Sequence, residues 1–296
     1  MKQLTIISGK GGTGKTTFSA AFSQIASRDR VICIADADVD AANMHVLLGK
    51  EGHERTPFHG LRKASISPDR CTNCGLCYEL CRFDAVKKPD SDNRAYSVSS
   101  LLCEGCEVCV QHCPVSVISS LPRQAGWIYR GECRFGSFHH ARLGIAEGNS
   151  GKLVADVMRE ARGECEEKGI ELLIADGPPG TGCPVIASLS QADCVIIVTE
   201  PTVSGVHDLE RVQALAANFG AQVGIIVNKA DLNPQVTGDI RRHCENSGAV
   251  FIGEMPFDRA FVDAMLERKT VCEYSPSLDE KMTALWDKAA TELCLK

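Results

Sequence analysis

Six short apolar runs recur along the chain, and most are followed by a stretch of helical periodicity. Gln3–Ser8, Arg30–Asp36, Glu171–Asp176, Asp193–Thr199, Gln222–Asn228 and Ala249–Gly253 read as strands, since short apolar runs bounded by turn residues fit strands covered on both faces. Between them, apolar residues recur every three or four positions. Phe18, Ala21, Phe22 and Ile25 share one face of a helix from Phe18 to Ser27. Ser150 is placed to cap a second helix, on which Leu153, Val154, Val157, Met158 and Ala161 line up. Further helices are expected at Val206–Phe219, Val236–Asn246 and Leu278–Leu293. Alternating strands and helices predict an α/β fold with a mostly parallel sheet and helices on both faces.

The alternation stops near Glu51. His53, Pro57, His59 and Gly60 read as a connector, residues 61–122 hold little apolar content apart from cysteine, and residues 127–149 are rich in Gly and His without a clear element. The expected organisation is one α/β domain in two parts, residues 1–60 and 123–296, interrupted by a small insert at residues 61–122.

Chemistry gathers at the strand ends. After the first strand comes Gly9-Lys10-Gly11-Gly12-Thr13-Gly14-Lys15-Thr16-Thr17, a G-x-x-x-x-G-K-[ST] phosphate loop. Glycines let successive N–H groups converge on phosphate, and the following helix adds partial positive charge. Lys15 is the residue type that reaches β- and γ-phosphates, and the Thr16 hydroxyl the type that binds Mg²⁺. The second strand ends in Asp36-Ala37-Asp38, which places two carboxylates where an open α/β sheet binds ligands. The third ends in Asp176 and runs into Gly177-Pro178-Pro179-Gly180-Thr181-Gly182. An apolar run closed by Asp fits the carboxylate that organises a Mg²⁺ shell.

Sixteen cysteines are too many for a reduced compartment to use as disulfides, and eight of them fall between Cys71 and Cys113. Cys71, Cys74, Cys77 and Cys81 follow C-x₂-C-x₂-C-x₃-C, and Cys103, Cys106, Cys109, Cys113 and Pro114 repeat it with the proline. That is the bacterial two-cluster ferredoxin run, in which the fourth cysteine of each run serves the other cluster. One [4Fe–4S] cluster would take Cys71, Cys74, Cys77 and Cys113, and the other Cys81, Cys103, Cys106 and Cys109. Arg82 replaces the first proline without removing a ligand. Zinc competes for C-x₂-C pairs, but two tandem four-cysteine runs fit it poorly. His139, His140 and Cys133 lack the spacing of a metal site.

Composition narrows the partners. At 296 residues, 44% hydrophobic and 24% charged, the chain has the make-up of a globular protein. A net charge of −6 argues against nucleic acid or anionic lipid as general partners. No apolar run nears the roughly 20 residues of a membrane span, and the first strand begins at once, so a cytoplasmic location is expected. Asn228-Lys229-Ala230-Asp231 has the chemistry of a guanine reader.

Together the phosphate loop, the Asp-Ala-Asp turn and the Asp176 loop resemble the deviant-Walker ATPases of the MinD/ParA/Mrp group (SIMIBI-type P-loop NTPases). The cysteine insert resembles the members that carry an inserted ferredoxin domain. His140–Gly144, Asn149–Val154, Glu200–Thr202 and Pro256–Asp258 are similar to that subgroup too. The resemblance implies ATP rather than GTP, and a sandwich dimer in which Lys10 reaches the partner's nucleotide. It also implies a first switch containing Asp36 and Asp38, with Asp38 positioning water, and Mg²⁺ held by Thr16, Asp38 and Asp176. The base would lie against Asn228, Lys229, Asp231 and the Pro256-Phe257-Asp258 loop. Cys183 stands at the interval of a bridging cluster ligand in the related nitrogenase iron protein, with Cys133 as the only second candidate.

Three functions follow as expectations. The first is an ATPase whose closure, as a homodimer or with a paralogue, is coupled to electron transfer toward a redox partner. The second is an ATP-dependent iron–sulfur scaffold or carrier, which complete four-cysteine ligation disfavours. The third is a positioning or partner-recruiting switch with structural clusters.

Overall fold

The computed structural model describes residues 1–49, 51–91, 94–144 and 147–295. In chain order, β1 (Lys2–Ser8) leads into α1 (Lys15–Ala26), β2 (Ile32–Asp36), α2 (Met44–Leu48) and β3 (Glu51–Ile66). The cysteine region holds α3 (Leu76–Leu80), β4 (Val86–Lys87), β5 (Ser97–Val98) and α4 (Val108–Gln111). Then come β6 (Ile118–Cys133), β7 (Gly136–Leu143), α5 (Ser150–Lys168), β8 (Leu172–Pro179), α6 (Cys183–Leu189) and β9 (Cys194–Thr199). The chain closes with α7 (Val203–Ala217), β10 (Gln222–Asn228), α8 (Pro234–Ser247), β11 (Val250–Met255), α9 (Ala260–Leu266), α10 (Val271–Tyr274) and α11 (Pro276–Glu292). The expected α/β architecture is borne out.

Among the described residues the main sheet runs β11-β10-β9-β1-β8-β2-β7-β6-β3. The pairs β1–β8, β1–β9, β9–β10, β10–β11, β2–β8 and β2–β7 are all parallel. Period-two alternation sorts side chains to opposite faces. On β9, Cys194, Ile196 and Val198 join the core under α1 and α11, which holds Phe18, Phe22, Met282 and Trp286. Val195 and Ile197 point to the second core, with Val185, Leu189, Leu209, Val212 and Ile240 from α6, α7 and α8. Helices therefore cover both faces. The Phe22 and Trp286 rings meet at 5.4 Å and tie α1 to α11.

Two segments differ from the sequence expectation. His53, Pro57, His59 and Gly60 lie within the long strand β3 rather than in a connector, and residues 127–149 contribute all of β7 and the end of β6. β3 closes one end of the sheet order, and edge strands are where a proline such as Pro57 is tolerated within a sheet. On β7 the buried positions include the polar Ser137, His139 and His140, so no apolar run marks the strand.

The chain divides into two compact units: Met1–Thr56 with Ile128–Arg142 and Ser150–Lys296, and Pro57–Trp127 with Leu143–Asn149. The second unit has a small core of its own, including Phe58, Ala85, Val86, Ala95, Val117 and Ile118. A two-strand antiparallel ladder pairs Val86 with Val98. No helix among the described residues is long and apolar enough to cross a membrane.

Candidate nucleotide site and cysteine loops

Parallel pairing of β1, β2 and β8 brings their C-terminal ends together, Asp36 opposite Asp176 in register. The phosphate loop leaves β1 there and α1 starts at Lys15, preceded by Gly14 at φ +93° with no side-chain cap. Gly14 is required twice over: the φ is left-handed, and a Cβ would stand 2.5 Å from Asn228 Nδ2.

Lys15 is 6% exposed, its Nζ 3.0 Å from Asp176 Oδ1 and 3.3 Å from Asp38 Oδ2. Burial works against its charge, but Asp176 and Asp38 outweigh burial and raise its pKa, so the ammonium stays charged. Thr16 Oγ1 donates to Asp176 Oδ2 at 2.7 Å and Ser19 Oγ to Asp176 Oδ1 at 2.8 Å. Thr16, Asp38 and Asp176 thus converge around Lys15, as a Mg²⁺ and phosphate site requires. Asp36 is fully buried and accepts from the N–H groups of Asp38 at 3.2 Å and Met44 at 3.1 Å. Burial, reinforced by Asp176, pushes its carboxyl well above the usual range. Asp38 is raised as well, by burial first, with Lys15 opposing. The buried Thr13 Oγ1 has no hydrogen-bond partner among the described residues, an opening that a bound phosphate group fits.

The other loop residues form a second group. Asn228 Nδ2 donates to Thr13 O at 2.8 Å, and its Oδ1 accepts from Lys229 N–H at 3.0 Å. Lys229 Nζ contacts Glu200 Oε1 at 2.5 Å and Gly12 O at 3.4 Å. Lys10 Nζ lies 3.4 Å from Glu200 Oε2. Asp231 Oδ1 accepts from Phe257 N–H at 2.6 Å, which clasps the segment after β10 to the one after β11. Asp258 Oδ1 accepts from Ala260 N–H at 2.8 Å, and Pro256 and Phe257 are exposed beside it. Gly9, Gly11 and Thr17 complete the loop and the first turn of α1. Gly9 admits no side chain, because its Cβ would fall 2.4 Å from Asp208 Cβ.

Sequence reasoning missed Ser19 and gave Glu200 no role. Ser19 lies one helical turn beyond Lys15, so its spacing was the available signal. Glu200 stood in the sequence only within the Glu200–Thr202 stretch, with no role attached, and only the fold brings both lysines to it.

In the cysteine unit, Cys71, Cys74, Cys77 and Cys113 line one small cavity together with Tyr96 and Ile118. Gly105, at φ +68°, turns the second run where a Cβ would meet Arg62 O at 2.2 Å. Burial first, then the neighbouring Cys103, Cys106 and Cys77, pushes the Cys109 thiol up to about 11. Cys81 ends α3, its N–H donating to Tyr78 O at 3.4 Å. Among the described residues no group of three or more His, Cys, Asp or Glu is gathered tightly enough for a single metal ion. The lining of this cavity brings three cysteines of the first run together with the last of the second.

The remaining candidate ligands do not converge. Cys183 is exposed at the first turn of α6, whereas Cys133 packs against the core beneath α1 and α11. His139 Nε2 pairs with Glu164 Oε2 at 2.6 Å, and His140 stacks on Tyr129 at 4.6 Å.

The profile of the CobQ/CobB/MinD/ParA nucleotide binding domain matches residues 4–271. Uncharacterized protein MJ0578 of Methanocaldococcus jannaschii is 28% identical over 286 residues, covering 97% of this chain and 95% of the relative. Uncharacterized ATP-binding protein MJ0547 of the same organism is 27% identical over 229 residues, 76% of this chain and 63% of its own. The septum site-determining protein MinD from Pyrococcus horikoshii OT3, solved as a complex with Mg-ADP, superposes with a TM-score of 0.59 at 16% identity. That match covers 97% of this chain and 95% of that one, and the likeness is one of fold.

Proposed function

Because the chain belongs to the CobQ/CobB/MinD/ParA nucleotide binding domain family, we propose that it is a Mg²⁺-dependent ATPase acting as a nucleotide-driven switch. In the triphosphate state it closes with a second copy or a paralogue and recruits a partner protein. The observation that carries this reading is the convergence of Lys15, Thr16, Asp38 and Asp176 at the ends of β1, β2 and β8. Lys15 exchanges its carboxylates for phosphate oxygens, Thr16 and Asp176 hold Mg²⁺, and Asp38 orients the attacking water. Lys10 reaches the nucleotide across the closed pair. The base is adenine, in keeping with the ATP-binding and Mg-ADP-bound relatives, and it rests on Asn228, Lys229, Asp231 and the Pro256–Asp258 loop. Titration with MgATP and MgGTP, followed by turnover and sedimentation, tests the proposal. Tight MgATP binding with slow hydrolysis and ATP-dependent association is expected. Binding unaltered in Thr16→Ala and Asp176→Asn would overturn it.

A second reading rests on the cavity formed by Cys71, Cys74, Cys77 and Cys113. These residues would hold one [4Fe–4S] cluster, and Cys81, Cys103, Cys106 and Cys109 the other. Such clusters supply one-electron transfer when bound, which makes a redox protein the matching partner. About eight irons and eight sulfides per chain after anaerobic reconstitution are expected. Zinc instead of iron would sink this reading and leave the switch intact.

A further inference from the structure

Glu200 follows β9 and is 13% exposed at its side chain. Its two oxygens serve different lysines, Oε1 taking Lys229 Nζ at 2.5 Å and Oε2 facing Lys10 Nζ at 3.4 Å. The two arms are unequal. Lys229 is fixed by the short ion pair, by donation to Gly12 O at 3.4 Å and through its own N–H on Asn228 Oδ1 at 3.0 Å. Lys10 has longer contacts, to Glu200 and to Thr202 Oγ1 at 3.4 Å, and its side chain is 33% exposed. Thr202 Oγ1 is already occupied as the cap of α7, accepting from Gly205 N–H at 3.0 Å, so it adds little hold on Lys10.

We propose that Glu200 is a positioning residue: it holds Lys10 against the mouth of β9 and surrenders it to a nucleotide triphosphate. The proposal rests on the nucleotide-switch reading. A carboxylate offers Lys10 one negative charge at the distance of a loose ion pair. A triphosphate offers several, and attraction scales with charge over distance. Glu200 keeps Lys229 after Lys10 leaves, so no unpaired carboxylate is left beside the phosphates. The carboxylate thereby sets a threshold that diphosphate and triphosphate cross differently, and the base loop stays clamped to the phosphate loop throughout.

Glu200→Gln separates the two arms, because the amide oxygen still accepts from Lys229 while the charge that holds Lys10 is gone. The probes are MgADP and a hydrolysis-resistant MgATP analogue, titrated into wild type, Glu200→Gln, Lys10→Ala and the double variant. Tightening of the analogue by about threefold is expected in Glu200→Gln, the size an exposed ion pair supports, and the gain vanishes in the Lys10→Ala background. Loss of a merely repulsive charge would persist in that background, so a surviving gain overturns the proposal. No gain in Glu200→Gln overturns it too, with wild-type binding intact. Wild type that binds neither nucleotide overturns the switch reading and the latch together. Repeating the titration below and above the concentration at which the chain associates identifies the triphosphate. A gain at both concentrations assigns Lys10 to its own protomer's nucleotide, and a gain only at high concentration assigns it to the second copy's.

Discussion

At the scale of single residues, charge concentrates on Lys15, where Asp176 and Asp38 meet a buried ammonium. Removing one partner of a buried pair leaves the other charge uncompensated. Lys15→Ala is expected to cost about 3 kcal/mol of stability in urea, besides abolishing MgATP binding in a fluorescent-nucleotide titration. A variant as stable as wild type would show that the carboxylates do not depend on Lys15. A second residue-scale prediction concerns Glu164. Burial would raise its pKa, but hydrogen bonds from Lys168, Ser137 and His139 prevail and bring it down to about 2. A carboxylate depressed by folding stabilises fully above its unfolded pKa, near 4.3, and loses that contribution as pH falls toward 2. His139, lowered by burial, has the same sign, its contribution being lost as pH drops below about 6.5. Glu164→Gln should therefore melt lower than wild type at pH 7 and lose less between about pH 4 and pH 3. Parallel curves across that range would contradict the assignment. Lys15, Thr16 and Asp176 were legible in the sequence because each sits in a local pattern. Ser19 and Glu200 were not, since their partners come from other strands.

At the scale of elements, strand-turn-helix at the phosphate loop could be read directly, because its glycines, its lysine and its helix start lie within one short stretch. β3, β6 and β7 could not. β3 and β6 are mostly exposed or half-buried, with only scattered buried positions such as Phe58, Ile118, Ala125 and Ile128, and β7 buries the polar Ser137, His139 and His140 beside Phe138, so periodicity gives no strand signal there. The cysteine loops show the opposite case, spacing legible and each turn dependent on a left-handed glycine, Gly75 in the first run and Gly105 in the second. Gly105→Ala forces a left-handed φ and a Cβ onto Arg62 O, a strain of about 1–3 kcal/mol. Reconstituted Gly105→Ala should bind about half the wild-type iron, because the Cys103–Cys109 turn is displaced and the Cys71–Cys77 turn is not. Full iron content would show that this turn is not a ligand loop. Trp286→Ala, emptying the contact with Phe22, should cost about 3–5 kcal/mol in the same urea series.

At the scale of the whole molecule, the two units each bury a core of their own, so the proposed nucleotide and cluster sites are expected to be separable. Cys74→Ser combined with Cys106→Ser should remove most of the iron and leave MgATP affinity within about twofold. A larger change would mean that the cysteine unit helps form the nucleotide site. By itself the sequence determined the strand–helix alternation, the phosphate loop, the acids at the strand ends and the paired cysteine runs. Each of those depends on residues within a few positions of one another, where backbone geometry and side-chain spacing are fixed by local chemistry. Only the tertiary structure decided the extension of the sheet through β7, β6 and β3. It alone places Cys113 beside the first cysteine run along one cavity and brings Lys10 and Lys229 together on Glu200. Those features depend on pairings between distant strands, and burial in the assembled sheet, rather than any local pattern, selects their partners.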